Sequence, residues 1–206
     1  MIRDVVLLHG LWMPGLVMRP LASRLEARGY RAHVFDYASR LRPLEVHADR
    51  LARFAREAAD GAPVHFVGHS LGGVLIYDLL QKYPSMPCGK VVLLGAPVRG
   101  CFAGRRLGSA GIGRWMLGGC AERWTERDAS WRRTEHLGVI AGTRVFGLGR
   151  ALGALPGEND GVVRVEETVI EGVSERVLVR EPHSMLPLSA SVAALVERFL
   201  RSGRFA

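Results

Sequence analysis

Short apolar runs recur along this chain, each bounded by glycine, proline or charge. Between them lie longer stretches whose apolar residues return every three or four positions. The first pattern predicts strands and the second amphipathic helices. Strands are expected over Asp4–Leu8, Arg31–Asp36, Val64–Gly68, Lys90–Leu94, Leu137–Ala141 and Arg176–Arg180. Helices are expected over Met18–Arg28, Leu44–Ala59, Leu71–Tyr83 and Ala190–Arg201. Val64–Val67 and Val91–Leu94 are apolar apart from His65, as suits strands covered on both faces. Val192, Leu195, Val196 and Phe199 form one stripe on the last helix, which would seal the sheet. The alternation predicts an α/β fold: a doubly wound, mostly parallel sheet of about six strands with helices on both faces. No linker or repeat interrupts it, so residues 1–206 read as a single domain.

One segment breaks the rhythm. Residues 99–135 hold Gly100, Gly104, Gly108, Gly111, Gly113, Gly118 and Gly119, together with Trp115, Trp124 and Trp131. Eight arginines against four acids give this stretch a net charge of +4. It is too long for an ordinary connection. A small, partly helical lid over the carboxyl ends of the strands is expected, with a surface excursion that packs its tryptophans into the core as the alternative.

Composition narrows the classes. An apolar share of 48% with 23% charged residues is that of an ordinary globular chain. No apolar stretch is long enough to span a bilayer. The N-terminus runs at once into its first strand without a signal-peptide pattern, which points to the cytoplasm. Cys88, Cys101 and Cys120 are too few for a disulfide framework and include no CxxC pair, so reduced thiols and no metal site are expected. Of 28 basic residues only Lys82 and Lys90 are lysine, and the net charge is +8. The arginines are dispersed and lack interleaved aromatics, which argues against a nucleic-acid partner. Weak contact of the arginine-rich insertion with an anionic membrane surface is compatible with this charge. Oligomeric state has no signature here.

The chemistry begins at Gly68-His69-Ser70-Leu71-Gly72-Gly73, between a strand and a helix. G-x-S-x-G in that setting is the nucleophile elbow, a strained turn that presents a serine at a helix N-terminus. A serine hydroxyl needs a base, and the base needs an orienting acid. Downstream of Ser70 the histidines are His136, at the wrong end of its strand, and His183, just past the last strand. His183 is therefore the expected base, since catalytic groups gather at carboxyl ends. Asn159-Asp160-Gly161 supplies an acid in a tight turn between serine and histidine, so Asp160 is the candidate. Glu158 and Asp128 are its rivals. Asp36 precedes the serine and fits the order poorly, and Asp78 faces away on the nucleophile helix.

Acyl transfer also needs donors for an oxyanion. Leu71, after the nucleophile, is one, and Leu11, in the turn Leu8-His9-Gly10-Leu11-Trp12, is the other. His9 and His69 read as structural or pocket-lining. Trp12, Met13, His69, Trp115 and Met116 are the candidate substrate-binding residues, suited to a hydrophobic acyl group.

Val6-Leu7-Leu8-His9-Gly10, the elbow, Gly95–Gly100, Asn159-Asp160-Gly161-Val162-Val163 and His183 together resemble the α/β-hydrolase superfamily. Within it they are similar to bacterial triacylglycerol lipases and PGAP-type lipid-remodelling hydrolases. The motifs cover residues 6 to 183 in that family's order. The resemblance implies Ser70 as nucleophile, Asp160 as acid, His183 as base and Leu11 with Leu71 as oxyanion donors. It implies an esterase or lipase acting on a small-molecule or lipid ester without cofactor; a thioesterase, an acyltransferase or a non-catalytic binding module on the same fold are the alternatives. Several such lipases hold calcium through an aspartate just after the histidine. Here Ser184 and Met185 follow it, so no calcium requirement is expected.

Overall fold

A computed structural model describes residues 2–109, 111–146 and 155–206, without the side chains of Ile112, Arg114, Ala121 and Glu122. Six strands form one parallel sheet: β1 Asp4–Leu8, β2 Arg31–Phe35, β3 Val64–His69, β4 Cys88–Leu94, β5 Leu137–Gly142 and β6 Glu175–Val179. Their order across the sheet is β2-β1-β3-β4-β5-β6. From β1 the chain moves outward to β2, then returns across β1 to build β3 and everything beyond. The order therefore reverses between β1 and β3, where Leu8 pairs with Gly68. Loops leave such a reversal in opposite directions and open a crevice at the carboxyl ends. The turn at Gly10 and the elbow at Ser70 border it.

Side chains alternate across the sheet, as the two-residue period of a strand requires. Val5 and Leu7 of β1 join Val67, Val92 and Ile140 on one face, under α1 (Arg19–Glu26) and the last helix, α6 (Ala190–Ser202). Val6 and Leu8 join Phe66, Val91, Leu93 and Val139 on the other, under α2 (Leu44–Ala58) and α3 (Leu71–Lys82). Each predicted strand and helix occurs with small shifts of its ends. The helix expected over Met18–Arg28 is α1, Arg19–Glu26, preceded by a 3₁₀ turn at Gly15–Met18; Pro20 stands in the first turn of α1, where its missing N–H costs no hydrogen bond. β4 begins early, at Cys88, which pairs with Val64 ahead of a register shift.

The segment 99–135 carries three short helical pieces: α4 (Phe102–Gly108), α5 (Gly111–Leu117) and a 3₁₀ stretch at Gly118–Trp124. Trp124 and Trp131 are buried in the core on the α2–α3 face, and Trp115 is exposed. Arg123 makes two 2.6 Å hydrogen bonds to the Asp78 carboxylate on α3, and Arg127 reaches the same carboxylate at 3.4 Å. Asp78 thus ties the insertion to the helix that follows Ser70.

Candidate active site

β3 ends where Ser70 takes a left-handed φ of 53°, and α3 starts at the next residue. A non-glycine residue in that region carries about 1–2 kcal/mol of strain, which the surrounding packing must hold. The Ser70 N–H donates to Leu94 O at 2.9 Å, and the Ser70 carbonyl accepts from Gly73 and Val74. So tight a turn excludes side chains: a methyl on Gly68 would lie 2.6 Å from the Gly73 Cα. Ser70 retains 9% exposure, and its hydroxyl stands at the positive end of α3.

On the β5–β6 side, His183 Nδ1 lies 2.7 Å from Asp160 Oδ2, and both side chains are buried. The other carboxylate oxygen accepts from Val162 N at 3.0 Å and Val163 N at 2.8 Å. The His183 N–H donates in turn to the Asp160 carbonyl. These bonds fix the acid's rotamer and leave Nε2 as the imidazole nitrogen available to a hydroxyl proton. The sequence-predicted acid and base therefore meet. Of the rivals, Glu158 is exposed, Asp128 is exposed beside Arg99, and His136 is exposed ahead of β5.

His69, next to the serine, is fully buried. Its Nε2 donates to the His183 carbonyl at 3.0 Å, and the two rings are 4.8 Å apart. Burial pushes its pKa well below the ordinary histidine value, so the ring is neutral. His69 braces the main chain of His183 from the residue next to the serine.

On the β1–β2 side, a methyl on Gly10 would sit 3.1 Å from the Ser70 Cβ, so the turn after β1 rests on the elbow itself. Leu11 is half-buried and Leu71 fully buried at this junction. Trp12 takes a left-handed φ of 61°, held by its N–H to Ser39 Oγ at 3.3 Å and its indole N–H to the Met116 carbonyl at 2.9 Å. Met13 is half-buried beside it, and the Arg40 guanidinium stacks 4.8 Å over the Trp115 ring. Trp12, Trp115 and Met116 are thus one exposed apolar group joined to this side of the site. Sequence order passed over Asp36, Tyr37 and Ser39 as participants here. The signal for them was their place at the carboxyl end of β2, beside the reversal.

All three cysteines are free, and burial raises their thiols to about 12 for Cys88 and Cys101 and about 11 for Cys120. They stay protonated and are no rivals to Ser70. Among the described residues no group of three or more His, Cys, Asp or Glu is placed to hold a metal ion, and no helix is long and apolar enough to cross a membrane.

Residues 5–202 match the model of the alpha/beta hydrolase family, and the chain belongs to that family. It is 33% identical to a pyrethroid hydrolase of Sphingobium wenxiniae over a segment covering 45% of this chain and 35% of that protein. It is 38% identical to a pimeloyl-[acyl-carrier protein] methyl ester esterase of Vibrio vulnificus over 46% of this chain and 37% of that one. The matched segments thus span little more than a third of these relatives. Among solved structures, the mature lipase BlEst2 of Bacillus licheniformis superposes with a TM-score of 0.73 at 17% identity, covering 88% of this chain and 85% of that one. A pyrethroid hydrolase superposes with a TM-score of 0.72 at 16% identity, over 98% and 99% of the two chains. Both show the same fold.

Proposed function

We propose that this hydrolase cleaves carboxylic esters through an acyl-enzyme on Ser70. The observation that carries the reading is the buried Asp160–His183 contact of 2.7 Å, facing the end of the sheet where Ser70 occupies its strained turn. His183 Nε2 takes the Ser70 proton as the serine oxygen bonds to the acyl carbon. The carbonyl electrons move onto oxygen, and the N–H groups of Leu11 and Leu71 stabilise that oxyanion. When the tetrahedral species collapses, the ester C–O bond breaks and the leaving alkoxide takes the proton from His183. Water then repeats the sequence against the acyl-enzyme, releasing the carboxylic acid and restoring Ser70. Asp160 stays ionised throughout and stabilises the imidazolium that forms between transfers.

The names of the relatives support an ester as the substrate, since one is a methyl ester esterase and others are lipases. The exposed apolar group of Trp12, Trp115 and Met116 suits a hydrophobic acyl or alcohol moiety, in a small molecule or a lipid. Three free thiols suit a reducing compartment, in keeping with a cytoplasmic location. A fluorophosphonate probe should label the folded protein at Ser70, and Ser70→Ala should lose p-nitrophenyl ester hydrolysis by about 10⁴-fold or more. Full activity in Ser70→Ala would refute the assignment.

A further inference from the structure

Asp36 follows the last residue of β2, ahead of the serine in the chain, where it cannot serve as the acid of the His183 pair. Its carboxylate nevertheless reaches the oxyanion loop at both ends. Oδ1 accepts from Gly15 N at 3.0 Å, where the loop enters its 3₁₀ turn, and lies 2.9 Å from His9 Nε2, where the loop leaves β1. The two side chains differ sharply in environment: that of Asp36 is 67% exposed, and that of His9 is wholly buried. His9 Nδ1 lies 2.8 Å from the Gly10 carbonyl, which can only accept, so this nitrogen carries a proton. The other nitrogen, Nε2, lies between the Asp36 carboxylate and the Tyr37 N–H, which is 3.3 Å from it. The neighbouring residues complete the splint. Tyr37 stacks on the His9 ring at 4.5 Å and its hydroxyl donates to the His9 carbonyl at 3.0 Å, while Ser39 Oγ accepts from Trp12 N.

Gly10 is the residue this arrangement places, and Gly10 is also where a methyl group would sit 3.1 Å from the Ser70 Cβ. A side chain that fixes Gly10 therefore fixes where the following N–H, that of Leu11, stands relative to the serine.

We propose that Asp36 is a positioning residue for the oxyanion loop, acting through the His9 imidazole on Gly10 and Leu11. The inference rests on the serine-hydrolase reading above. It adds a second Asp–His pair to the site, one that moves no proton in the reaction and serves the developing charge instead of the nucleophile. Its energetic effect should appear only when the carbonyl oxygen becomes tetrahedral and negative, because that is when donor placement matters.

Asp36→Asn is the discriminating variant, since its amide oxygen can still accept from Gly15 N while the negative charge beside His9 is gone. Its kcat for a p-nitrophenyl ester and its affinity for a trifluoromethyl ketone, which forms a tetrahedral adduct with the serine, should both fall by about tenfold. KM and the thermal midpoint should stay close to the wild-type values. Tyr37→Phe, which removes only the hydroxyl bond to the His9 carbonyl, should shift both readouts in the same direction by a smaller factor. Wild-type ketone affinity and kcat in Asp36→Asn would overturn the proposal, as would a fall in kcat with no change in ketone affinity. If wild-type protein reacts with neither the ketone nor a fluorophosphonate, the serine-hydrolase reading itself fails. That result is distinct from a reactive wild type matched by an equally reactive variant.

Discussion

The two flanks of Ser70 are held by different means. On the β5–β6 flank, Asp160 is oriented by main-chain N–H groups of its own turn, at Val162 and Val163, and passes that order to His183 over one side-chain contact. On the β1–β2 flank, the loop from His9 to Gly15 is oriented by side chains of a neighbouring strand end, at Asp36, Tyr37 and Ser39. A turn that orders its own acid is compact in sequence and carries a recognisable residue pattern. A loop ordered from elsewhere has half of its specification more than twenty residues away. The first kind of site is visible in a motif, and the second only in a fold.

Several measurements would sharpen or break this contrast. The largest effect belongs to the β5–β6 flank. Asp160→Asn should keep the fold and lower kcat by about 10⁴-fold, because the amide no longer favours the reactive tautomer or stabilises the imidazolium. Steady-state kinetics on one ester would place it about a thousandfold below Asp36→Asn. Equal losses in the two variants would erase the distinction between proton-moving and donor-placing flanks. Next comes the clamp on the insertion. Asp78→Ala leaves the Arg123 guanidinium, only 10% exposed, without its carboxylate. The variant should lose about 2 kcal/mol in urea unfolding, less than for a fully buried pair, because Asp78 is partly exposed. Its kcat should change by less than about threefold, since both flanks of the serine stand without it. A large fall in kcat at unchanged stability would mean that the insertion, and not the two flanks, governs the chemistry.

The smallest effect serves as a control common to both flanks. His65, on β3 below the elbow, accepts the Lys90 N–H on Nδ1, and burial lowers its pKa from 6.5 to about 4. Its folded value lies below its unfolded one, so on acidification from pH 6.5 towards 4 the unfolded chain takes up a proton that the folded one refuses. Stability should therefore fall across that window, by roughly 1.4 kcal/mol at pH 5.5 from this residue. Chemical denaturation of wild type and His65→Gln at pH 7 and 5.5 would read the difference in slope. Parallel slopes would show that His65 does not contribute it.

The centre of the sheet was legible because β1, β3 and β4 are apolar enough to read as runs, and strands buried on both faces demand that pattern. Helix ends were less so: the helix expected from Met18 starts at Arg19, after a 3₁₀ turn at Gly15–Met18. The His183–Asp160 contact followed from chain order and from an aspartate beside glycine in a turn. His69 reads as structural or pocket-lining, because nothing in a sequence distinguishes a histidine at a pocket surface from one that is fully buried. The insertion was half legible. Its tryptophans announce apolar anchoring, yet which of them is buried and which exposed, and the Arg123–Asp78 pair joining residues 45 apart, are features of the fold that no local pattern carries.

The contact between Trp12 and the insertion has an evolutionary consequence. The indole N–H binds the carbonyl of Met116 and not its side chain. Every amino acid supplies that acceptor, so position 116 can vary without breaking the link to the turn after β1. Neighbouring Trp115 is similarly exposed, its ring meeting Arg40 at the surface. Substitutions at these two places change exposed side chains while leaving the main-chain link to Trp12 intact.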